Sequence, residues 1–98
     1  MNFYEKEAAE EQKRMIHLEQ GGLCATCGKP VPIGEAQAAH RIHKAKWLLR
    51  KYGPEVIHHR FNIKITHSGS CNDAVMIIPE SLPALKLISD IMEDLKCH

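Results

Sequence analysis

At 98 residues, with 44% hydrophobic and 26% charged residues, the chain has the size and composition of one small globular domain, 1–98, and not of a disordered segment. No apolar run approaches the roughly 20 residues that span a bilayer, and the opening Met-Asn-Phe-Tyr-Glu-Lys-Glu has no signal-peptide core. The expected location is therefore cytoplasmic, with no membrane partner. The net charge of +1 conceals a division: residues 28–67 carry eight Lys/Arg against two Glu, residues 1–27 three against five, and residues 68–98 two against five acids. A basic middle suits a phosphate-bearing partner, although for any single cation a solvated helix face is the simpler account.

Residues 3–19 read as a helix with Tyr4, Ala8, Met15 and Leu18 near one face, stopped by Gly21-Gly22. His17 reads as a plain polar helix residue. Leu23 to Ile33 reads as a knuckle on a short hairpin. Cys24-Ala-Thr-Cys27 aims two thiolates at one ion, Gly28 permits the tight turn, and Lys29-Pro-Val-Pro leads away extended. In a reducing compartment this spacing is metal-binding or redox before it is a disulfide. A redox pair wants a helix starting at its first Cys, and Gly28 and Pro30 oppose one.

Glu35 to His43 reads as a short strand turning into a loop. Lys44 to Tyr52 is the next expected helix, stopped by Gly53-Pro54, and Glu55 to Arg60 is a connection. Phe61, Ile63 and Ile65 alternate with Asn62, Lys64 and Thr66, the pattern of a half-buried strand. After the turn at His67-Ser-Gly-Ser, Ser70 is placed to cap a helix beginning near Cys71 and carrying Ala74, Val75, Ile77 and Ile78 up to Pro79. Ser81 is the expected cap of a last helix, 81–96, with Leu85, Ile88, Ile91, Met92 and Leu95 inward. There is no internal repeat.

Zinc takes four S/N ligands in a tetrahedron, and two short-range pairs brought together supply them. Cys24/Cys27 and His67/Cys71 are the expected ligands of a structural Zn²⁺, with Cys97 and His98 as competitors for the place of His67. Within that clamp lie His40, Asn62 and Asn72. A neutral imidazole suits a general base near pH 7, and an Asn carbonyl is a hard ligand for Mg²⁺ or Mn²⁺.

The run Cys24-x-x-Cys27-Gly-Lys-Pro, then Ala39-His40-Arg-Ile, then Asn62 at a strand, then Cys71-Asn72-Asp73, resembles the HNH endonucleases. The resemblance covers about residues 20–78. It implies an α+β fold with a small ββα-metal (His-Me finger) core and structural zinc, flanked by the N- and C-terminal helices. It also implies roles: His40 as the base that activates water, Asn62 as the brace of the loop holding that base, and Asn72 as ligand of the catalytic Mg²⁺ or Mn²⁺. The chain departs from the family pattern at Ala39, where a second metal ligand is common, and by one extra residue in the His67-to-Cys71 turn.

The implied activity is metal-dependent hydrolysis of DNA phosphodiester bonds, by nicking or double-strand cleavage, leaving 5′-phosphate and 3′-hydroxyl ends. Arg41, Lys44, Lys46, Arg50, Lys51, Arg60 and Lys64 are the candidate phosphate contacts as a group, and His43, His58 and His59 read as solvated histidines. With five aromatics in a hundred residues and no evident recognition helix, low sequence specificity is expected, from a monomer or a homodimer. Two other readings stay open: a zinc-stabilised nucleic-acid-binding module without catalysis, motivated by Ala39, and a structural zinc domain that binds protein through its acidic end helices.

Overall fold

A computed structural model describes residues 3–97. The first helix, α1 (Phe3–Glu19), ends where Gly21 and Gly22 adopt φ of 68° and 75°, and the Gly22 N–H closes on the His17 carbonyl at 2.9 Å. Beyond it the chain makes the expected knuckle. Leu23 bridges Pro30, the Cys24 N–H donates to the Lys29 carbonyl at 2.8 Å, and the Gly28 N–H donates back to Cys24 at 3.0 Å. A 3-10 turn (Ile33–Glu35) leads into β1 (Gln37–His40).

Two helices fill the excursion between the strands. The first, α2 (Lys46–Tyr52), stops at Gly53, whose φ of 89° turns its N–H onto the Leu49 carbonyl. The second, α3 (Pro54–Ile57), starts on Pro54, where a missing N–H costs nothing. The sequence reading had only a connection there. After a 3-10 turn (Arg60–Asn62) comes β2 (Ile63–Thr66), then α4 (Ser70–Ala74) and α5 (Leu82–Lys96). Among the described residues the fold is thus a small α+β arrangement of five α-helices and a two-stranded antiparallel sheet. No helix is long and apolar enough to cross a membrane.

In the sheet, Gln37 faces Thr66, Ala38 faces Ile65, Ala39 faces Lys64 and His40 faces Ile63. The pleat puts Ala38, His40, Ile63 and Ile65 on one side and Gln37, Ala39, Lys64 and Thr66 on the other. The side expected to face solvent is also covered, for Asn62 and Thr66 are both buried. Two apolar clusters hold the elements. One joins Ile42, Leu48, Val56 and Ile57 to Ala84, Leu87 and Ile91 of α5; the other joins Ile16, Cys24, Val31 and Ala36 to Ile63 and Ile65.

Several expectations are corrected. On α1 the buried residue is Ile16, with Met15 and Leu18 exposed, because polar side chains orient this helix: His17 Nε2 sits 2.7 Å from the Val31 carbonyl. His17 is therefore a fastener between α1 and the knuckle. The Tyr4 side chain and His98 lie outside the described residues. On α5 the inward face is Ala84, Leu87 and Ile91, which leaves Leu85, Met92 and Leu95 exposed. Helix α4 is a single short stretch that does not reach Ile78, because the Ile77 N–H is drawn to the Arg41 carbonyl at 2.8 Å. Its N-cap is Gly69, at φ 73°, and Ser70 does not cap it. Ser81 does cap α5, its hydroxyl accepting the Ala84 N–H at 3.3 Å.

Asn62 has no exposed surface and uses its whole amide: Oδ1 accepts the Ile42 N–H at 2.8 Å, and Nδ2 donates to the carbonyls of Ile42 at 3.0 Å and Ile57 at 2.8 Å. Replacing it with alanine strands these three backbone groups in the interior. Asn62→Ala is expected to cost on the order of 2–4 kcal/mol in urea unfolding of the zinc-loaded chain. A loss below about 1 kcal/mol would mean that water restores the network.

Candidate active site and metal centre

The knuckle and the turn between β2 and α4 bring four side chains together. The ligand atoms of Cys24, Cys27, His67 and Cys71 all lie within 4.8 Å of one another. Tetrahedral zinc at about 2.0–2.3 Å from each donor demands a grouping of this size. His67 is oriented for ligation. Its Nε2 lies 3.2 Å from the Pro30 carbonyl, which can only accept, so the ring proton belongs on Nε2. The unprotonated Nδ1 then faces Cys27 Sγ at 3.4 Å. The turn between His67 and Cys71 passes through Gly69 at a φ of 73°. Cys97 is exposed and stands outside the group.

The thiols show why a cation belongs there. Burial pushes the Cys24 thiol up, but hydrogen bonds from the backbone of Cys27, His67 and Thr26 and from the His67 ring outweigh it and hold it at about 6. Desolvation, with hydrogen bonding to and negative charge on Cys24 and Cys27, pushes Cys71 up to about 11. Thiolates crowd each other here, and a divalent ion relieves that repulsion. The clamp is fastened from outside as well: the Ala25 N–H donates to the Ile65 carbonyl at 2.9 Å, and the Thr26 hydroxyl to the Cys71 carbonyl at 2.7 Å.

His40 ends β1, half-buried. Burial, then His58, then Lys44 lower its pKa to about 4, so it is neutral near pH 7. Its Nε2 lies 3.1 Å from His58 Nδ1, the two rings edge to face at 5.2 Å. Just beyond His40, the loop is held by the Asn62 amide at Ile42 and by the Arg41 N–H donating to the Asn62 carbonyl at 2.8 Å. Helix α4 packs on both strands and the chain after it returns to Arg41, so Asn72 lies on an element laid against the strand of His40. Asn72 is half-exposed, and among the described residues its side-chain amide has no hydrogen-bond partner.

Two members of the expected cationic group are paired with acids. Lys51 pairs with Glu80, and Arg60 pairs with Glu19 at 3.6 Å while lying over the Phe61 ring. Lys44, Lys46 and Arg50 are exposed on and before α2. Arg41 and Lys64, with Phe61, Leu87 and Asp90, line an open cleft of about 370 Å³ between the sheet and α5.

Three residues hold places that the sequence pattern does not reveal, two of them histidines that read as solvated. Gln20 donates from Nε2 to the carbonyls of Leu23 and Ile65 and accepts the Ile65 N–H at Oε1, tying α1, the knuckle and β2 together. His59 is buried, not solvated: Nδ1 accepts the Phe61 N–H at 3.0 Å and Nε2 donates to Asp94 at 2.7 Å. His58 is exposed but meets His40. The adjacent pair of histidines just before Asn62 was the available signal.

No protein-family model matches the chain. No curated protein and no solved structure is similar to it.

The chain is expected to bind one zinc per molecule, to lose thermal stability on chelation, and to lose the metal in Cys24→Ser. Cys97→Ser should leave the stoichiometry unchanged; metal analysis of the purified variants checks both. His40 gives a pH signature. Its folded pKa of about 4 lies below the ordinary 6.5, so as pH falls through that window the unfolded chain takes up the proton first. Stability should fall over the same window. In His40→Gln that fall should be shallower, as read by thermal unfolding across the pH series.

Proposed function

We propose that the chain is a divalent-metal-dependent endonuclease that hydrolyses DNA phosphodiester bonds, built on a ββα-metal core like that of the HNH enzymes. The observation that carries this reading is the Asn62 brace. A fully buried amide fixes the loop directly after His40, which is the support a general base needs to stay in register with its water. The order β1, β2, α4 and the Cys24/Cys27/His67/Cys71 clamp frame it, with the clamp as the place of a structural zinc.

Neutral at working pH, His40 removes the proton from a water attacking phosphorus. Asn72 supplies a hard, neutral oxygen with no competing protein partner among the described residues, a donor that fits an ion retaining most of its waters. Bound there, Mg²⁺ or Mn²⁺ supplies electrostatic stabilisation of the charge that develops on the phosphate oxygens. Arg41 and Lys64, in the cleft between the sheet and α5, supply positive charge for phosphates away from the reacting one, since Lys64 lies on the opposite side of the pleat from His40. The expected ends are 5′-phosphate and 3′-hydroxyl. One small site nicks, and cutting both strands requires a second copy across the duplex.

A second reading is favoured by one observation. Ala39, beside His40, brings no ligand, and among the described residues the clamp is the only cluster of three or more His, Cys, Asp or Glu groups. On that reading the chain is a zinc-stabilised nucleic-acid-binding module without catalysis.

Supercoiled plasmid incubated with the zinc-loaded protein and Mg²⁺ or Mn²⁺ separates the two. Open-circle product is expected that EDTA abolishes and that falls by about 10²–10⁴-fold in His40→Ala. Binding without conversion in either metal would select the second reading.

A further inference from the structure

His40 and His58 are the two imidazoles of this chain whose ring nitrogens meet. His40 Nε2 and His58 Nδ1 lie 3.1 Å apart, so one of the two carries the hydrogen and the other a lone pair. The contact is built from both sides. His58 caps the C-terminal end of α3, its N–H donating to the Pro54 carbonyl at 2.9 Å while its carbonyl accepts Gln12 Nε2 at 3.2 Å. The residue before it, Ile57, is buried and gives its carbonyl to Asn62 Nδ2; the residue after it, His59, is buried against Asp94. One amide therefore sets both loops: Asn62 holds Ile42, two residues after His40, and Ile57, one residue before His58.

The direction of the hydrogen decides what His40 can do. Were His58 Nδ1–H the donor, it would occupy the Nε2 lone pair of His40, and the His40 proton would stand on Nδ1, leaving no free basic nitrogen. With His40 Nε2–H as donor, Nδ1 of His40 keeps its lone pair, and among the described residues no protein group bonds to that nitrogen.

We propose that His58 is the positioning residue of His40: its Nδ1 accepts the His40 Nε2–H, which fixes the ring and makes Nδ1 the nitrogen that takes the proton. This rests on the reading of His40 as a general base. The proton leaves the attacking water for His40 Nδ1, the hydroxide oxygen bonds to phosphorus as the P–O3′ bond breaks, the departing 3′-oxygen takes a proton from solvent water, and the imidazolium so formed is stabilised through its Nε2–H···Nδ1 bond. That bond strengthens when charge appears on the donor. His58 does not touch the reacting atoms. Burial, a charged His58 and Lys44 each oppose charge on His40, so the bond orients the His40 ring only while His58 Nδ1 carries a lone pair.

The test uses the full, zinc-loaded chain in three forms: wild type, His58→Ala and His58→Asn, whose Oδ1 takes the place of Nδ1 as acceptor. In wild type, nitrogen NMR should show a coupling across the hydrogen bond between the two rings, with the proton covalently on His40 Nε2. In plasmid cleavage, His58→Ala should lower kcat by at least about ten-fold with KM unchanged, and His58→Asn should restore most of it. Absence of the coupling, or a proton on His58 Nδ1, overturns the proposal whether or not the protein cleaves. Full kcat in His58→Ala overturns the positioning role and leaves the nuclease reading standing. A wild-type protein that shows the coupling and never cleaves overturns the nuclease reading, and the role in proton removal with it.

Discussion

The buried amide of Asn62 is the constraint on which the arrangement depends. The chain leaves the sheet after β1, makes two short helices, and returns to begin β2. Such an excursion has buried backbone groups with no strand partner, and these must be satisfied by something. Asn62 answers three of them with one side chain, at the start of the strand the excursion returns to. An apolar residue of the same volume would fill the space but leave an N–H and two carbonyls unpaired, at roughly 1–3 kcal/mol for each group. Side-chain amides are suited to this because donor and acceptor sit on one rigid plane, so holding Ile42 also fixes where Ile57 is held.

The two apolar clusters differ in kind, and this explains the clamp. The first has Ile42, Leu48, Ile57, Leu87 and Ile91, large aliphatic side chains from four segments. The second is thinner, with Val31 and Ala36 among its members, and it includes Cys24 with Cys71 packed against it. Few methylenes are available there to offset the ordering of the knuckle and of α1. Polar fasteners from His17 and Gln20 take over that part, and the Cys24, Cys27, His67 and Cys71 group could add a metal cross-link. The acidic helix α1 thus owes its place to hydrogen bonds more than to an apolar stripe, and its exposed Met15 and Leu18 are the visible consequence.

What could be read in advance was local. Cys-x-x-Cys-Gly makes a knuckle through its own turn, Ser81 caps through its own hydroxyl, and the alternation of Phe61 to Thr66 marks a strand over Ile63–Thr66, its first two residues closing a 3-10 turn instead. Helix rotation is not local. On α5 the sets Leu85/Met92/Leu95 and Ala84/Leu87/Ile91 are both periodic, and they differ by about one residue, or 100° of rotation. The second set is inward because Ala84, with no exposed surface, lets the backbone come close to its neighbours. Helix α4 stops short of its sequence pattern for a similar reason: Pro79 is the visible stop, but the bond from Ile77 to Arg41 ends the helix earlier. The adjacent histidines before Asn62 mark a place worth attention but do not name the partner of His58, which is 18 residues away and is reached through the Asn62 network.

Ala39 bears on which ion the fold needs. It lies on the opposite side of the pleat from His40, beside Lys64, and is 1% exposed. A carboxylate at such a position would be a buried charge, tolerable only with a cation bound against it. Strand β1 would then depend on a second metal for its stability. With alanine there the strand is satisfied by packing alone. The soft thiolates and imidazole of Cys24, Cys27, Cys71 and His67, which could hold an ion, stand instead where the apolar packing is thinnest.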